Sequence, residues 1–206
     1  MSTMQKNSKQ VENKIILEKK SSNRWKNFYY SFIWLAVILL IIDIVTKIIA
    51  YYNLSYGETV IIPGLTWLVQ FTLIFNTGAA WGFGGNNLVT QILLCILSYA
   101  AAIGIIYYYI KKRHILSTFI KVIMMICLAG DIGNLIDRTF ALMPNIPTIY
   151  SNGVIDFIDI TPLIPGFGIF NFADSCLSIG IIVLIIYEIV TTFIKDNKKD
   201  NSKNDD

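Results

Sequence analysis

The sequence is poor in the residues most enzymes use. It has one histidine, three cysteines and five prolines in 206 residues, and only 15% of the chain is charged. A lone histidine, His114, beside Lys111-Lys-Arg113, belongs to a solvated basic loop and leaves no Ser-His-Asp set and no HExxH zinc motif. Cys95, Cys127 and Cys176 lie in apolar runs without CxxC spacing, so they read as buried small hydrophobes rather than a disulfide framework or metal site. No glycine-rich phosphate loop is present, and neither a cofactor nor a metal is expected. The net charge of +3 is too small to point to nucleic acid.

What is abundant is apolar sequence, 54% of the chain, too much for an ordinary soluble domain and typical of a membrane protein. Four runs are long enough for the ~20 residues a bilayer core demands: about 28–52, 88–110, 115–138 and 167–194. Residues 1–27 hold seven of the 17 basic residues and read as a disordered Lys-rich extension. They do not make a secretory signal, because the charged region and the following apolar run are both too long. Residues 196–206 form a charged tail. Between the first two spans, 53–87 has too many glycines for a helix, and its β-branched, aromatic stretch Leu65–Phe75 suits interfacial strands. Residues 139–166 read as a loop.

Lysine and arginine are absent from 51–90 and 139–168 but crowd the N-terminus, 111–113 and the C-terminal tail. The positive-inside rule then puts both termini in the cytoplasm, which four spans satisfy. No internal repeat is visible, so an inverted-repeat transporter has no support.

This topology gathers Asp43, Lys47, Asn76, Asn134, Asp137, Arg138, Asp156, Asn171 and Asp174 at the extracytoplasmic end of their segments. A carboxylate in hydrocarbon costs roughly 2.5–3.5 kcal/mol or more, so Asp174, inside the fourth run, needs a reason. Two carboxylates close together cannot both ionise, and such a pair suits general acid–base work on water. Alternatives exist for the other charges. Asp43 and Lys47, at i and i+4, suit a self-neutralising pair, with Asp43 the better candidate for supporting the outer site; Asp137 and Arg138 suit a local ion pair as well as chemistry. Asp159, equally prominent, reads as a turn or cap. A small ion or solute carrier with an aspartate relay is the competing function; on the cytoplasmic side only Lys121 and Glu188 could continue such a relay.

Five blocks carry a resemblance: Asp43-Ile-Val-Thr-Lys47, Asn76-Thr-Gly78-Ala-Ala-Trp-Gly82, Gly133-Asn134-Leu-Ile-Asp137-Arg138, Val154-Ile-Asp156-Phe and Phe170-Asn171-Phe-Ala173-Asp174-Ser. In order, over about residues 35–180, they resemble the sequence blocks of bacterial lipoprotein signal peptidase, signal peptidase II. The resemblance implies four transmembrane helices with a small extracytoplasmic β-cradle in the bacterial cell membrane. It implies an intramembrane aspartyl endopeptidase that cuts diacylglyceryl-modified prolipoproteins before the lipidated cysteine, among membrane lipids, and is blocked by globomycin-type cyclic peptides. Asp156 and Asp174 would be the catalytic pair. Asp43, Lys47, Asn76, Gly78, Asn134, Asp137, Arg138, Asn171 and Ala173 would support the site or contact substrate. Two departures stand out: Asp131, where the family has small residues, which is spaced to pair with Arg138, and a long loop before Asp156.

Overall fold

The computed structural model describes residues 31–79, 84–85, 87–143, 145 and 148–204, with side chains to 194. The N-terminal extension, Ala80, Trp81 and Gly82 of the second block, and the side chains of the charged tail lie outside the described residues.

Among the described residues, four long apolar helices form the body: α1 Ile33–Asn53, α2 Leu88–Lys112, α3 Thr118–Ala141 and α4 Phe172–Asn204. At 1.5 Å per residue each exceeds the roughly 30 Å of a bilayer's hydrocarbon core. Helix starts follow sequence chemistry. The Asn87 side chain accepts from Val89 N at 2.9 Å and Ser117 Oγ from Ile120 N at 3.3 Å, each capping an orphan donor.

α3 is the central helix, with 61% of its span buried against 22%, 11% and 6% for α1, α2 and α4. The outer three turn large apolar side chains outward, among them Val37, Ile41, Ile49, Ile96, Ile103, Ile182 and Phe193. Such surfaces suit lipid, where backbone groups are satisfied inside each helix and no solvent faces the side chains. Close packing onto α3 is set by small residues. Gly130 and Gly133 face Ala173, and Gly180 of α4 faces the Cys127 thiol. All three cysteines are buried and free.

The rest is a three-stranded antiparallel sheet, β1 Thr59–Ile61, β2 Gln70–Asn76 and β3 Val154–Asp159, in the order β1-β2-β3. It packs on the bundle end where α1 and α3 finish, through a cluster of Ala50, Leu73, Tyr150, Ile155 and Phe157. The expected interfacial strand is shorter than the apolar stretch: Leu65 to Val69 turns, and only Gln70 onward pairs.

Two elements differ from the sequence expectation. The 139–166 segment contains β3, whose alternation Val-Ile-Asp-Phe-Ile-Asp buries Ile155 and Phe157 on one face. Gly153 precedes it at φ 128, and a Cβ there would sit 2.9 Å from Asn76 O, so the chain enters the strand only with glycine. The fourth helix begins at Phe172, not Phe167. Residues before it fold back on β3, with Ile158 N donating to Phe170 O at 2.8 Å and Phe170 N to Ile158 O at 3.0 Å. Asp174 therefore lies in the first helical turn rather than two turns into a span.

Candidate active site

Asp174 owes its position to helix-capping chemistry. Asn171 Oδ1 accepts from Asp174 N at 2.9 Å, and Asp174 Oδ2 accepts from Asn171 N at 3.1 Å. This is a reciprocal capping box, with Asn and Asp in place of the usual Ser/Thr and Glu. A carboxylate at a helix N-terminus is also favoured by the helix dipole. Asp156 comes from mid-β3, opposite Ile74 of β2, and is 1% exposed.

An unbroken series of amide hydrogen bonds links the two aspartates. Asn76 Nδ2 donates to Asp156 Oδ2 at 3.1 Å, and Asn171 Nδ2 donates to Asp156 Oδ1 at 2.7 Å and to Asn134 Oδ1 at 3.0 Å. Asn134 Nδ2 in turn donates to Asp174 Oδ1 at 2.8 Å. Amides suit this task because they donate and accept without adding charge. Burial, and then the like charge of Asp174, push the Asp156 carboxyl well above the ordinary carboxylate value; Asn76, Lys47 and Asn171 pull the other way and lose.

Both carboxylates open on one cavity of about 420 Å³. Arg138, Asn76 and Ala79 line its polar part, while Ile160, Phe167 to Phe170, Ser175, Ser178 and Ile179 line the rest. The serines and the 160–170 wall are functional candidates that sequence reasoning missed. Ser178 lies four residues beyond Asp174 on the same face of α4, and Ser175 three before Ser178, which was the available signal.

The other expected residues divide between cavity and support. Arg138 does not pair with Asp137; its Nη1 donates to Gly78 O at 3.1 Å. Asn76 Oδ1 accepts from Gly78 N at 2.9 Å, so Asn76, Gly78 and Arg138 fix one rim of the cavity. Asp137 instead meets Lys47 Nζ at 2.8 Å, and Asp43 meets it at 2.9 Å. The Asp43–Lys47 pair is thus one arm of a three-charge cluster, because α3 brings a second carboxylate to the same ammonium. Ala173, 1% exposed, donates its N–H to Asp43 Oδ1 at 2.9 Å and packs on Gly133, outside the cavity lining.

Asp159 caps a turn, accepting from Thr161 N and Oγ1 at 2.9 and 2.6 Å, and it also staples β2 by accepting from Gln70 Nε2 and Thr72 Oγ1 at 2.7 and 2.9 Å. Burial pushes its carboxyl up, but these donations outweigh burial and hold it below the ordinary value.

Asp131 makes no ion pair with Arg138 among the described residues. Its side chain meets the Ser98 hydroxyl of α2, its Oδ2 has no partner, and it is absent from the cavity wall. Replacing a buried, half-satisfied carboxylate removes a desolvation penalty rather than a contact to substrate. Asp131→Ala is therefore expected to keep peptidase turnover within about threefold of the parent, since no contact to substrate changes. A dead variant, measured by precursor processing, would move Asp131 into the essential set.

A family profile for signal peptidase (SPase) II matches residues 35–190. The chain belongs to the signal peptidase II family. Lipoprotein signal peptidase from Staphylococcus aureus is 34% identical over 176 residues, covering 85% of this chain and 96% of that protein. The same enzyme from strain JH9 is 33% identical, covering 84% and 97%. Two solved structures described as bacterial membrane enzymes are also similar. One has a TM-score of 0.64 at 33% identity, covering 78% of this chain and 88% of the other; the second scores 0.60 at 32%, covering 75% and 90%. This chain is thus a multi-pass helical membrane protein with a small sheet, and it is a protease of this family.

Proposed function

We propose that the chain is an intramembrane aspartyl endopeptidase that removes signal peptides from diacylglyceryl-modified prolipoproteins, cutting before the lipidated cysteine. The observation that carries this is the single cavity onto which Asp156 and Asp174 both open, joined by the amides of Asn171 and Asn134. The distribution of basic residues supports cytoplasmic termini and an active site at the extracytoplasmic leaflet of the bacterial cell membrane. There a precursor's signal helix and acyl chains would remain in lipid while its scissile bond enters the cavity.

In the mechanism, Asp174 is assigned as the ionised member on geometry: it stands at the N-terminus of α4 and accepts from Asn134 Nδ2 and Asn171 N. Asp156 carries the shared proton, in keeping with its raised carboxyl. Asp174 takes a proton from water as the oxygen attacks the scissile carbonyl, and Asp156 gives its proton to the carbonyl oxygen. When the tetrahedral intermediate collapses, Asp174 passes its proton to the departing cysteine nitrogen. Asp156 recovers its own proton from the hydroxyl that becomes the new carboxyl carbonyl, so the pair is restored. Arg138 and Asn76 at the rim can hold substrate carbonyls in line.

The pH dependence follows with a defined sign. Activity needs one proton on the pair, so it falls at high pH when that proton is lost. Because the Asp156 carboxyl is raised, that alkaline limb should lie above the ordinary carboxylate value of about 4. A kcat profile whose alkaline limb sits at or below that value would remove Asp156 as the acid.

The deciding assay compares lipid-modified with unmodified precursor, with a globomycin-type peptide as control. Cleavage of the modified precursor alone, abolished by the inhibitor, is expected; equal cleavage of both would overturn the substrate assignment. The carrier alternative requires charged groups running toward the other bundle end, where Lys121 is half-buried and Glu188 is exposed on the outer face of α4, neither near the pair.

A further inference from the structure

Asp156 and Asp174 belong to different elements, a strand and a helix, and the chemistry above needs them in fixed register. The hydrogen bonds at their backbones show what sets that register. Asp43 Oδ1 accepts the N–H of Ala173 at 2.9 Å, and Asp137 Oδ2 accepts the N–H of Ile155 at 3.2 Å. Each gripped residue immediately precedes a dyad aspartate. The two gripping carboxylates come from α1 and α3, and both converge on Lys47 Nζ, at 2.9 and 2.8 Å. The same ammonium lies 3.3 Å from Asn134 Oδ1, and Asn134 is the amide that donates to Asp174.

Lys47 is 0% exposed and does not line the cavity, so it touches no substrate. The intact cluster adds little net stability, because desolvation offsets much of its attraction, but removing the ammonium alone would strand two buried carboxylates and lower stability as well. Its geometry is a different matter. One ammonium has three donors, and here they face the two carboxylates and the Asn134 amide that between them hold β3 and the first turn of α4, with the Gly133 carbonyl at 3.4 Å as a further acceptor.

We infer that Lys47 is a positioning residue, which through Asp43 and Asp137 locks the backbones of Ala173 and Ile155 and thereby sets the catalytic aspartates against each other. This rests on the aspartyl-peptidase reading and adds to it a device that acts through the main chain. A displacement of about 1 Å at a reacting group can cost about 100-fold in rate, so loosening the lock falls on turnover and leaves binding alone.

The test is steady-state cleavage of diacylglyceryl prolipoprotein by purified full-length variants. Lys47→Met is expected to lower kcat about 100-fold with KM within about threefold. Asp43→Asn and Asp137→Asn keep an acceptor oxygen for the gripped N–H, whereas Asp43→Ala and Asp137→Ala remove it. Each Asn variant should therefore turn over at least about tenfold faster than its Ala counterpart. Parental kcat in Lys47→Met, a loss confined to KM, or equal kcat for the Asn and Ala variants overturns the inference. If Lys47→Met does not fold, the Asn–Ala comparison decides alone. Asp174→Asn in the same assay separates the two levels: activity in that variant sinks the dyad itself, whereas a dead Asp174→Asn beside a fully active Lys47→Met sinks only the positioning role.

Discussion

Asp156→Asn and Asp174→Asn, each alone, are expected to lower cleavage of a lipid-modified precursor by about 10³-fold or more, with normal insertion in the membrane. Asparagine preserves the shape of each side chain and removes the ability to exchange a proton, so the loss reports chemistry rather than packing. Stability should move differently. The Asp156 carboxyl is raised by burial and by Asp174, so its ionised form is disfavoured in the fold. Such a group becomes a stability cost as pH rises from the unfolded carboxylate value of about 4 toward the folded one. Asp156→Asn should therefore melt, at neutral pH in detergent, no lower than the parent. Asp174→Asn keeps an oxygen for Asn171 N but weakens the charge at the start of α4, so it should melt slightly lower. Full processing by either purified variant would refute the pair.

Gly130→Val should be the most damaging change outside the cavity. A Cβ at Gly130 would run into the carbonyl oxygen of Ala173 and sit 3.0 Å from both Leu177 N and Leu177 Cγ. Two of these atoms are backbone and cannot swing aside. Replacing a helical glycine with a better helix former gains at most about 1 kcal/mol, while overpacking costs about 1–3 kcal/mol or more. The clash wins, and it acts one residue before Asp174. Separating α3 from α4 there pulls Asp174 Oδ1 from Asn134 Nδ2, now 2.8 Å apart. We expect a lower melting temperature and a loss of processing of about 100-fold or more. Gly104→Val is the control. Gly104 lies on α2 with nothing within 4 Å of a Cβ, so its activity should match the parent. Equal behaviour of the two variants would show that α3–α4 contact does not hold the site.

Much of the molecule was readable before any coordinates. Four apolar runs declared four helices, because only a hydrogen-bonded helix of about 20 residues satisfies its backbone in lipid. Aspartates and amides confined to one end of those runs declared a site, because nothing about solubility requires them there. Asp156 and Asp174 stood among those residues, and the fold brings both to one cavity.

What the sequence could not decide is who pairs with whom. Local spacing offered Asp43 with Lys47 and Asp137 with Arg138, since neighbours on one helix are the only partners a linear chain reveals. In the fold Lys47 joins Asp43 to Asp137 across α1 and α3, while Arg138 turns to Gly78. The start of α4 was likewise invisible: Phe167 to Phe170 is as apolar as the helix it precedes, and only pairing with β3 keeps it extended. Composition determined where the chain would meet lipid and where its charges would gather, because burial in hydrocarbon depends on each residue's own chemistry. Tertiary structure alone decided which carboxylates face the cavity and which grip a backbone, because that depends on contacts 18 to 130 residues apart.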